Sequence, residues 1–477
     1  MDAWEKDRFR LFVSSPYFNR HKPTIQLLDL ILKGLKKESG RDLERERIYQ
    51  RIFGKQEEYR EQPLFDLMSS LMKLVHQFLA QEKLERLPFT AETLTLRMAE
   101  EHKRFDLMRN RAKRLGRQLE EYTFRDADFQ FADYVRQQGL GYYEGQYGDR
   151  SKSENLQLML HRLDNFYLVE KLKHCSHLTA NMLLANTKYD FSFLDDVMAY
   201  VNRELDGKLV GEHSVRVYYY ILQSMRSPDE RLFYDEMTYY LNEGFHLISP
   251  KERKDVYLFA GNYCIQNIHA QKVQYRRELW ELYRRGETTE LIYDQGQISE
   301  WDFKNAVTMG CSLKEYEWVL RFLEENRERL PEKKRLNAYS LSRATYHYSR
   351  KEYDEAGEHL RNVEDSDVSY HLNRVMLEVR IAYDRMEVNY LSNTLETFRL
   401  FVMRNRKISA SDRRAYTNYA RFAKQLGILR FNREYTDPAQ YRKKMNDLHR
   451  KIAAAGELKA YQWLLEESKL EEAGVSN

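Results

Sequence analysis

Apolar residues recur at helical spacing through nearly all of the sequence, with polar residues at the positions between them. The longest such run follows Pro63 and keeps this spacing as far as Leu79. Its apolar residues are Leu64, Phe65, Leu67, Met68, Leu71, Met72, Leu74, Val75, Phe78 and Leu79. Because they cover more than half the circumference of one helix, we expect this helix at the centre of an N-terminal helical domain.

A pattern with a longer period runs from Ile298 to Arg406. Three units align on a small or branched residue, and in each unit further core-type residues follow at offsets of 9, 12 and 16. Successive units start 37 and then 35 residues apart. The aligned sets are Val307 with Tyr316, Val319 and Leu323, Ala344 with Tyr353, Ala356 and Leu360, and Val379 with Val388, Leu391 and Leu395. A period of this length, built from two helices, is typical of a stacked helical array.

The segment from Lys351 to Ala356 resembles the turn and the second helix of a tetratricopeptide repeat (TPR). In that family a small residue, an aromatic residue and an alanine recur at the distances that separate Ala344, Tyr353 and Ala356. The chain departs from the family in lacking its early Trp and its Leu-Gly pair. The resemblance implies an all-α fold, in which an N-terminal helical domain is followed by a TPR-like α-solenoid of antiparallel helix pairs.

Glycines divide the predicted helices into two groups. Four of the chain's 19 glycines fall between Gly139 and Gly148. Their spacing is not G-x-G-x-x-G and no strand precedes them, so we interpret the segment as a flexible joint and not as a phosphate-binding loop. The predicted segments are an N-terminal helical domain at 1–138, the joint at 139–150, helical repeats of uncertain register at 151–297, TPR-like repeats at 298–406 and C-terminal capping helices at 407–477.

Four short motifs predict where helices begin. Ser227, Ser249 and Ser312 each precede a glutamate by three residues, which is the pattern of a capping box. Asp437 precedes a proline and a glutamine in a related pattern. We therefore expect a helix to begin directly after each of these four residues.

Composition and charge narrow the class of protein. The chain has 19 Gly and 8 Pro among 477 residues, which favours helices joined by short turns. Its net charge of +4 is small for a general binder of polyanions. Cys175, Cys264 and Cys311 are far apart and fit a reducing cytosol. Without a signal-peptide pattern or a long apolar run, we expect a cytoplasmic protein with no membrane partner.

The most basic stretch lies between Lys103 and Arg117. Its candidate phosphate contacts are Lys103, Arg104, Arg111 and Arg114. A solvated helix face is the simpler interpretation, because apolar residues alternate with these cations. Binding of RNA or DNA through such basic helices is the alternative function, since helical repeats of similar period also hold RNA strands.

No motif of catalytic or cofactor chemistry is found in the sequence. His174 and His177 have a spacing that suits metal ligands, but no carboxylate completes a known ligand set. The Gly-Lys pairs that begin at Gly54 and Gly207 do not continue into a phosphate loop. We therefore expect neither enzymatic activity nor a bound metal or cofactor.

The resemblance to TPR proteins also implies where a partner binds. In that family the first helix of each unit lines a concave groove that accepts a peptide or a helix. The corresponding residues here are Lys304, Thr308, Leu341, Thr345, Tyr348, Met376, Arg380 and Tyr383. Their cations, hydroxyls and aromatic rings suit an acidic or amphipathic segment, although some of them could simply pack between repeats. We therefore expect a non-catalytic scaffold or adaptor that binds another protein or a peptide segment.

Overall fold

The all-α prediction is confirmed by the computed structural model, which is 78% helical. It describes residues 3–36, 43–54, 56–147, 154–185, 187–270, 272–364 and 367–469. The chain divides into two compact units, 1–218 and 219–477.

The first unit consists of helices joined by short connections. Its helices are α1 (Ala3–Ser14), α2 (Lys22–Lys36), α3 (Arg45–Phe53), α4 (Glu61–Arg86), α5 (Thr90–Glu101), α6 (Phe105–Glu121), α7 (Ala127–Tyr147), α8 (Glu154–Ala185), α9 (Leu194–Glu204) and α10 (His213–Arg226), the last of which crosses the boundary between the units.

Helix α4 is the long apolar helix of the sequence, and only one side of it is buried. Leu64, Leu71 and Phe78 lie in the core that α4 shares with α1, α2 and α3. Met72 and Leu79 are half exposed on the opposite side. The expected central position of α4 is therefore corrected, because its apolar circumference is wider than the face that its neighbours cover.

The glycine-rich segment is helical where the structure describes it. Helix α7 passes through Gly139 and Gly141 and ends at Tyr147, whereas 148–150 lie outside the described residues. A Cβ atom at Gly141 would lie 2.8 Å from a side-chain carbon of Leu156 in α8. The prediction of a flexible joint is thus wrong over 139–147, because glycine here permits close packing of two helices.

The second unit contains the aligned repeats. Its helices are α11 (Arg231–Tyr239), α12 (Pro250–His269), α13 (Tyr275–Thr288), α14 (Glu300–Ser312), α15 (Tyr316–Asn326), α16 (Glu332–Ser349), α17 (Tyr353–Arg361), α18 (Val368–Asp384), α19 (Val388–Arg404), α20 (Ala410–Phe431), α21 (Pro438–Ala453) and α22 (Tyr461–Ser468). Two antiparallel strands, β1 (Tyr293–Asp294) and β2 (Gln297–Ile298), form a hairpin before α14.

The three sequence segments that align between Ile298 and Arg406 coincide with the helix pairs α14–α15, α16–α17 and α18–α19. Val307, Ala344 and Val379, on which the units align, are fully buried in the first helices. Ala356 and Leu391 are buried in the second helices of their pairs. The two helices of each pair contact each other, and α16 contacts both α14 and α18.

The same turn joins the two helices of every pair. Lys314, Lys351 and Met386 each lie two residues before the second helix, with φ values of 62°, 66° and 59°. The following backbone N–H donates to the carbonyl five residues before it, at 2.9 Å from Glu315 to Gly310 and at 3.0 Å from Glu352 to His347. This bonding pattern is a Schellman motif that ends the first helix of each pair.

Two of the four predicted helix starts are confirmed. Helix α12 begins after Ser249, whose backbone N–H donates to the Glu252 carboxylate at 2.8 Å. Helix α21 begins after Asp437, whose carboxylate accepts from the backbone N–H of Gln440 at 3.0 Å. Prolines at the first helical position of both helices supply the φ that a helix start requires.

The other two predicted starts are wrong. After Ser227 the helix begins only at Arg231, so the serine does not cap it. Ser312 is the last residue of α14, and the Schellman motif occupies the positions at which we expected a new helix.

Candidate binding site

The residues that the TPR resemblance selects lie on three helices that contact one another in succession. We call this surface the three-helix face; its members are Lys304 and Thr308 of α14, Leu341, Thr345 and Tyr348 of α16, and Met376, Arg380 and Tyr383 of α18. The face has an open end near Lys304 and an end that the chain itself covers.

The open end holds a lysine that forms no ion pair. Lys304 lines a narrow slot with Leu341 of α16 and Asn373 of α18. Its Nζ atom lies 4.8 Å from the ring centroid of Trp301, and no carboxylate oxygen of the described residues lies within 4 Å of it. Burial lowers the pKa of the Lys304 amine, and the charge of Lys459 lowers it further. The charge of Glu300, which lines the same slot, opposes both effects without reversing them.

A larger cleft of about 470 Å³ shares Ser369 with this slot. Leu372 and Tyr416 form part of its wall. Lys459, which also lines the cleft, binds the Asp412 carboxylate at 2.9 Å. The cleft therefore combines apolar surface with charges, and its lysine at position 459 already has an acidic partner.

Four members of the three-helix face offer less to a partner than the sequence indicated. The hydroxyls of Thr308 and Thr345 donate to the carbonyls of Lys304 and Leu341 in their own helices, at 2.8 and 2.9 Å. Leu341 is buried, and Met376 packs against the core of α18 to α22. The hydroxyls retain only their acceptor capacity for a ligand.

The C-terminal helix α22 covers the far end of the face. The rings of Trp463 and Tyr383 are nearly perpendicular, with centroids 5.3 Å apart. The guanidinium of Arg380 lies 5.4 Å from the Trp463 ring centroid, which is cation–π distance. Glu467, one turn after Trp463, binds Arg430 at 3.6 Å. Two predicted partner positions, Arg380 and Tyr383, are thus in contact with the last helix of the described residues.

Arg380 is the second cation of the face without an acidic partner. No carboxylate oxygen of the described residues lies within 4 Å of its guanidinium, and its buried Nε has no hydrogen-bond partner there. Its charge acts on the phenols of Tyr348 and Tyr419. Burial raises the pKa of Tyr348, and Asp384 raises it further. Because a desolvated cation is costly without a counter-ion, Arg380 favours an anionic group nearby.

The sequence did not identify α22 as part of this site. Trp463 and Leu464 are buried, and Gln462 donates to the carbonyl of Ile268 at 3.2 Å. An aromatic residue in a short amphipathic helix was the available signal. It indicates a buried face but not which distant residues that face meets.

The basic stretch of the first unit is partly neutralised. Arg111 and Arg114 of α6 bind the two oxygens of one carboxylate, Glu92 of α5, at 3.4 and 2.9 Å. Lys103 and Arg104 are exposed in the turn between these helices. Two of the four candidate phosphate contacts therefore have an intramolecular partner.

Metal coordination and thiol chemistry are the other candidate chemistries of the described ranges. No group of three or more His, Cys, Asp and Glu residues there could hold a metal ion. The three cysteines are free and buried, and burial raises the pKa of Cys264 to about 12 and that of Cys311 to about 11. None of the helices in the described part of the chain combines the length and the apolar character needed to cross a membrane.

The candidate site thus consists of a surface on α14, α16 and α18, two cations without acidic partners, and a C-terminal helix that covers one end. Comparison of the chain with protein-family models, with curated proteins and with solved structures gives no match.

Proposed function

We propose that the protein is a non-catalytic scaffold that binds an acidic, amphipathic segment of another protein on the three-helix face. In this proposal the pairs α14–α15, α16–α17 and α18–α19 are TPR-like repeats that stack as an α-solenoid, and their first helices line its groove. The burial of Val307, Ala344 and Val379 and the turn shared by all three pairs support this arrangement. The free thiols support a reducing, cytoplasmic location.

The observation that carries the proposal is that two cations of one face, Lys304 and Arg380, form no ion pair among the described residues. Glu300, which lines the same slot as Lys304, binds Lys334 at 3.8 Å. Other cations of this unit do form ion pairs, as Arg321 does with Glu287 at 2.8 Å. Charge-assisted hydrogen bonds to carboxylates are stronger than neutral ones and fix orientation. An acidic helix or peptide would supply the missing partners.

A pull-down with the full-length protein tests this proposal. The wild type, the Lys304→Glu variant and the matched control Lys333→Glu, an exposed lysine of α16, are each incubated with host extract. Each sample is divided into nuclease-treated and untreated halves. We expect a defined protein that survives nuclease treatment, and about tenfold less of it on Lys304→Glu than on the other two proteins, since truncation of an interfacial charge pair costs that much or more.

Two results would overturn the proposal. Equal capture by Lys304→Glu and Lys333→Glu would place the interaction elsewhere on the chain. Loss of every partner on nuclease treatment, with nucleic acid recovered from the untreated half, would favour binding through the basic helices that carry Lys103, Arg104, Arg111 and Arg114.

A further inference from the structure

Helix α22 provides direct information about what fits on the three-helix face. It is a short helix of 8 residues that ends the described part of the chain. One side of it contacts Tyr383 and Arg380, and another reaches the α12–α13 region through Arg276 and Ile268. Its buried residue Leu464 packs in the core that α22 shares with α20 and α21. We infer that α22 is an intramolecular ligand of this face, and that the external partner is a helix of the same chemistry which displaces it.

The contacts of α22 define that chemistry. Trp463 supplies an aromatic ring to Tyr383 and Arg380, and Glu467, four residues later, supplies a carboxylate to Arg430. Residues four apart lie on one side of a helix, so the ring and the carboxylate are presented together. The partner segment therefore carries a large aromatic residue followed one turn later by an acid.

A second pair of α22 residues, on an adjacent side of the helix, faces another arginine. Gln462 and Glu466 are also four residues apart, and both accept from Arg276 of α13, with 3.5 Å between Arg276 and Glu466. The side chain of Arg276 is 16% exposed. Acidic groups on two adjacent rows of one helix thus meet arginines from two sides, which favours an acidic partner over a neutral one.

The intramolecular contact is incomplete, and this incompleteness makes exchange favourable. The Nε of Arg380 is buried and has no hydrogen-bond partner among the described residues. The indole Nε1 of Trp463, on α22 itself, is also buried without a partner there, so release of α22 relieves that cost. Lys304, at the open end of the face, receives no carboxylate from α22. A longer segment that places acids at these positions satisfies groups that α22 leaves unsatisfied.

A short helix is also weakly stable by itself. Helices of fewer than about 12 residues are marginal in water, so α22 depends on its tertiary contacts. Because α22 is tethered to the face, its high effective concentration lowers the apparent affinity of any external competitor. Release of α22 then raises the affinity for the partner, and binding of the partner releases α22.

The test uses the full chain and a fluorescein-labelled synthetic peptide with the sequence from Leu458 to Lys469 and the substitutions Gln462→Ala and Glu466→Ala. These substitutions remove the contacts with Arg276, so the affinity of the peptide itself does not depend on residue 276. The variant Arg276→Glu weakens the attachment of α22 without altering α22 or the three-helix face. Its matched control is Arg277→Glu, because Arg277 binds Glu315 at 2.6 Å and is not in contact with α22. The double variant Arg276→Glu with Glu466→Lys restores the charge pair in reverse.

We expect the peptide to bind Arg276→Glu at least fivefold more tightly than the wild type, because a larger fraction of molecules has an open face. The control and the charge-swapped double variant should bind as the wild type does. Hydrogen exchange of residues 461–468 should be faster in Arg276→Glu alone, and saturating peptide should accelerate it in the wild type.

This inference rests on the proposed function, and the two can fail separately. Faster exchange of 461–468 in Arg276→Glu without tighter peptide binding would overturn the inference, even if the pull-down shows capture that depends on Lys304. Tight peptide binding by the variant, together with pull-downs that retain no protein, would instead support α22 as a ligand and remove the proposed function. Formation of dimers by Arg276→Glu, through exchange of α22 between two copies, would show that the partner is a second copy and would overturn the external-partner inference.

Discussion

At the scale of single residues, Lys304 links the candidate site to pH. Burial lowers the pKa of its amine, so the residue loses its charge at a lower pH than an exposed lysine does. We expect the affinity for an acidic peptide to fall as pH rises through this lowered pKa. In Lys304→Arg the cation stays protonated throughout, because arginine has a pKa above 12. Fluorescence anisotropy with a labelled acidic segment of the captured partner, between about pH 7 and 10, measures the difference.

The comparison must separate Lys304 from other groups that titrate in this range. Lys304→Arg should give a flatter profile than the wild type, whereas Lys333→Arg should follow the wild type because Lys333 is exposed. Parallel profiles for all three proteins would show that Lys304 does not contact the peptide.

At the scale of secondary-structure elements, the shared turn of the helix pairs carries removable backbone strain. Lys351 has φ of 66° and an exposed side chain. The left-handed conformation costs about 1–2 kcal/mol for a residue with a Cβ atom, and glycine adds about 0.4–1 kcal/mol of unfolded-state entropy. We therefore expect Lys351→Gly to raise the free energy of unfolding by about 0.5–1 kcal/mol.

Urea unfolding followed by circular dichroism measures this change. The control Lys443→Gly introduces glycine into the middle of α21 at an exposed position and should lower stability by about 0.5–1 kcal/mol. If both variants are destabilised equally, the turn at Lys351 is not strained in solution.

Secondary-structure elements were predicted correctly where the contacts that determine them lie close together in the sequence. The buried register of Val307, Ala344 and Val379 follows from spacing within one helix pair and was predicted correctly. The helix start after Ser312 was predicted wrongly, because the same residues also fit the end of the preceding helix. A capping motif alone does not distinguish these two outcomes. Pro250 and Pro438 do begin helices, but the helix after Ser227 begins only at Arg231 although Pro228 follows that serine, so a proline does not decide the outcome either.

At the scale of the whole molecule, the missed features are those that join distant parts of the chain. The resemblance to TPR proteins predicted Lys304 and Leu341 on one surface of successive first helices, and they line one slot. It could not predict that Trp463 would contact Arg380, since no local pattern encodes a contact between residues so far apart. Gly141 illustrates the same limit, because a glycine at a helix–helix contact and a glycine in a joint look alike in sequence.

Buried phenols make the stability of the second unit sensitive to alkali. Burial raises the pKa of Tyr257 well above its ordinary value, and its hydroxyl has no hydrogen-bond partner among the described residues. Below the unfolded pKa of about 10, a phenol that stays neutral in the folded state does not make the free energy of unfolding depend on pH. Above that pH the phenol ionises on unfolding, so the free energy of unfolding falls by about 1.4 kcal/mol per pH unit until the folded pKa is reached.

Replacement of this phenol should therefore have two effects with different pH dependence. Tyr257→Phe should be neutral or stabilising at pH 7, because it removes a buried hydroxyl that lacks a partner. Above about pH 10 the wild type should lose stability because Tyr257 ionises on unfolding. Tyr257→Phe does not have this loss, so the amount by which its free energy of unfolding exceeds that of the wild type should grow with pH. Urea unfolding at a series of pH values, with the exposed Tyr435→Phe as control, measures both effects. An advantage that stays constant from pH 7 to 11 would mean that the hydroxyl reaches solvent before the unit unfolds, because only a phenol held neutral by the fold links deprotonation to the stability of the unit.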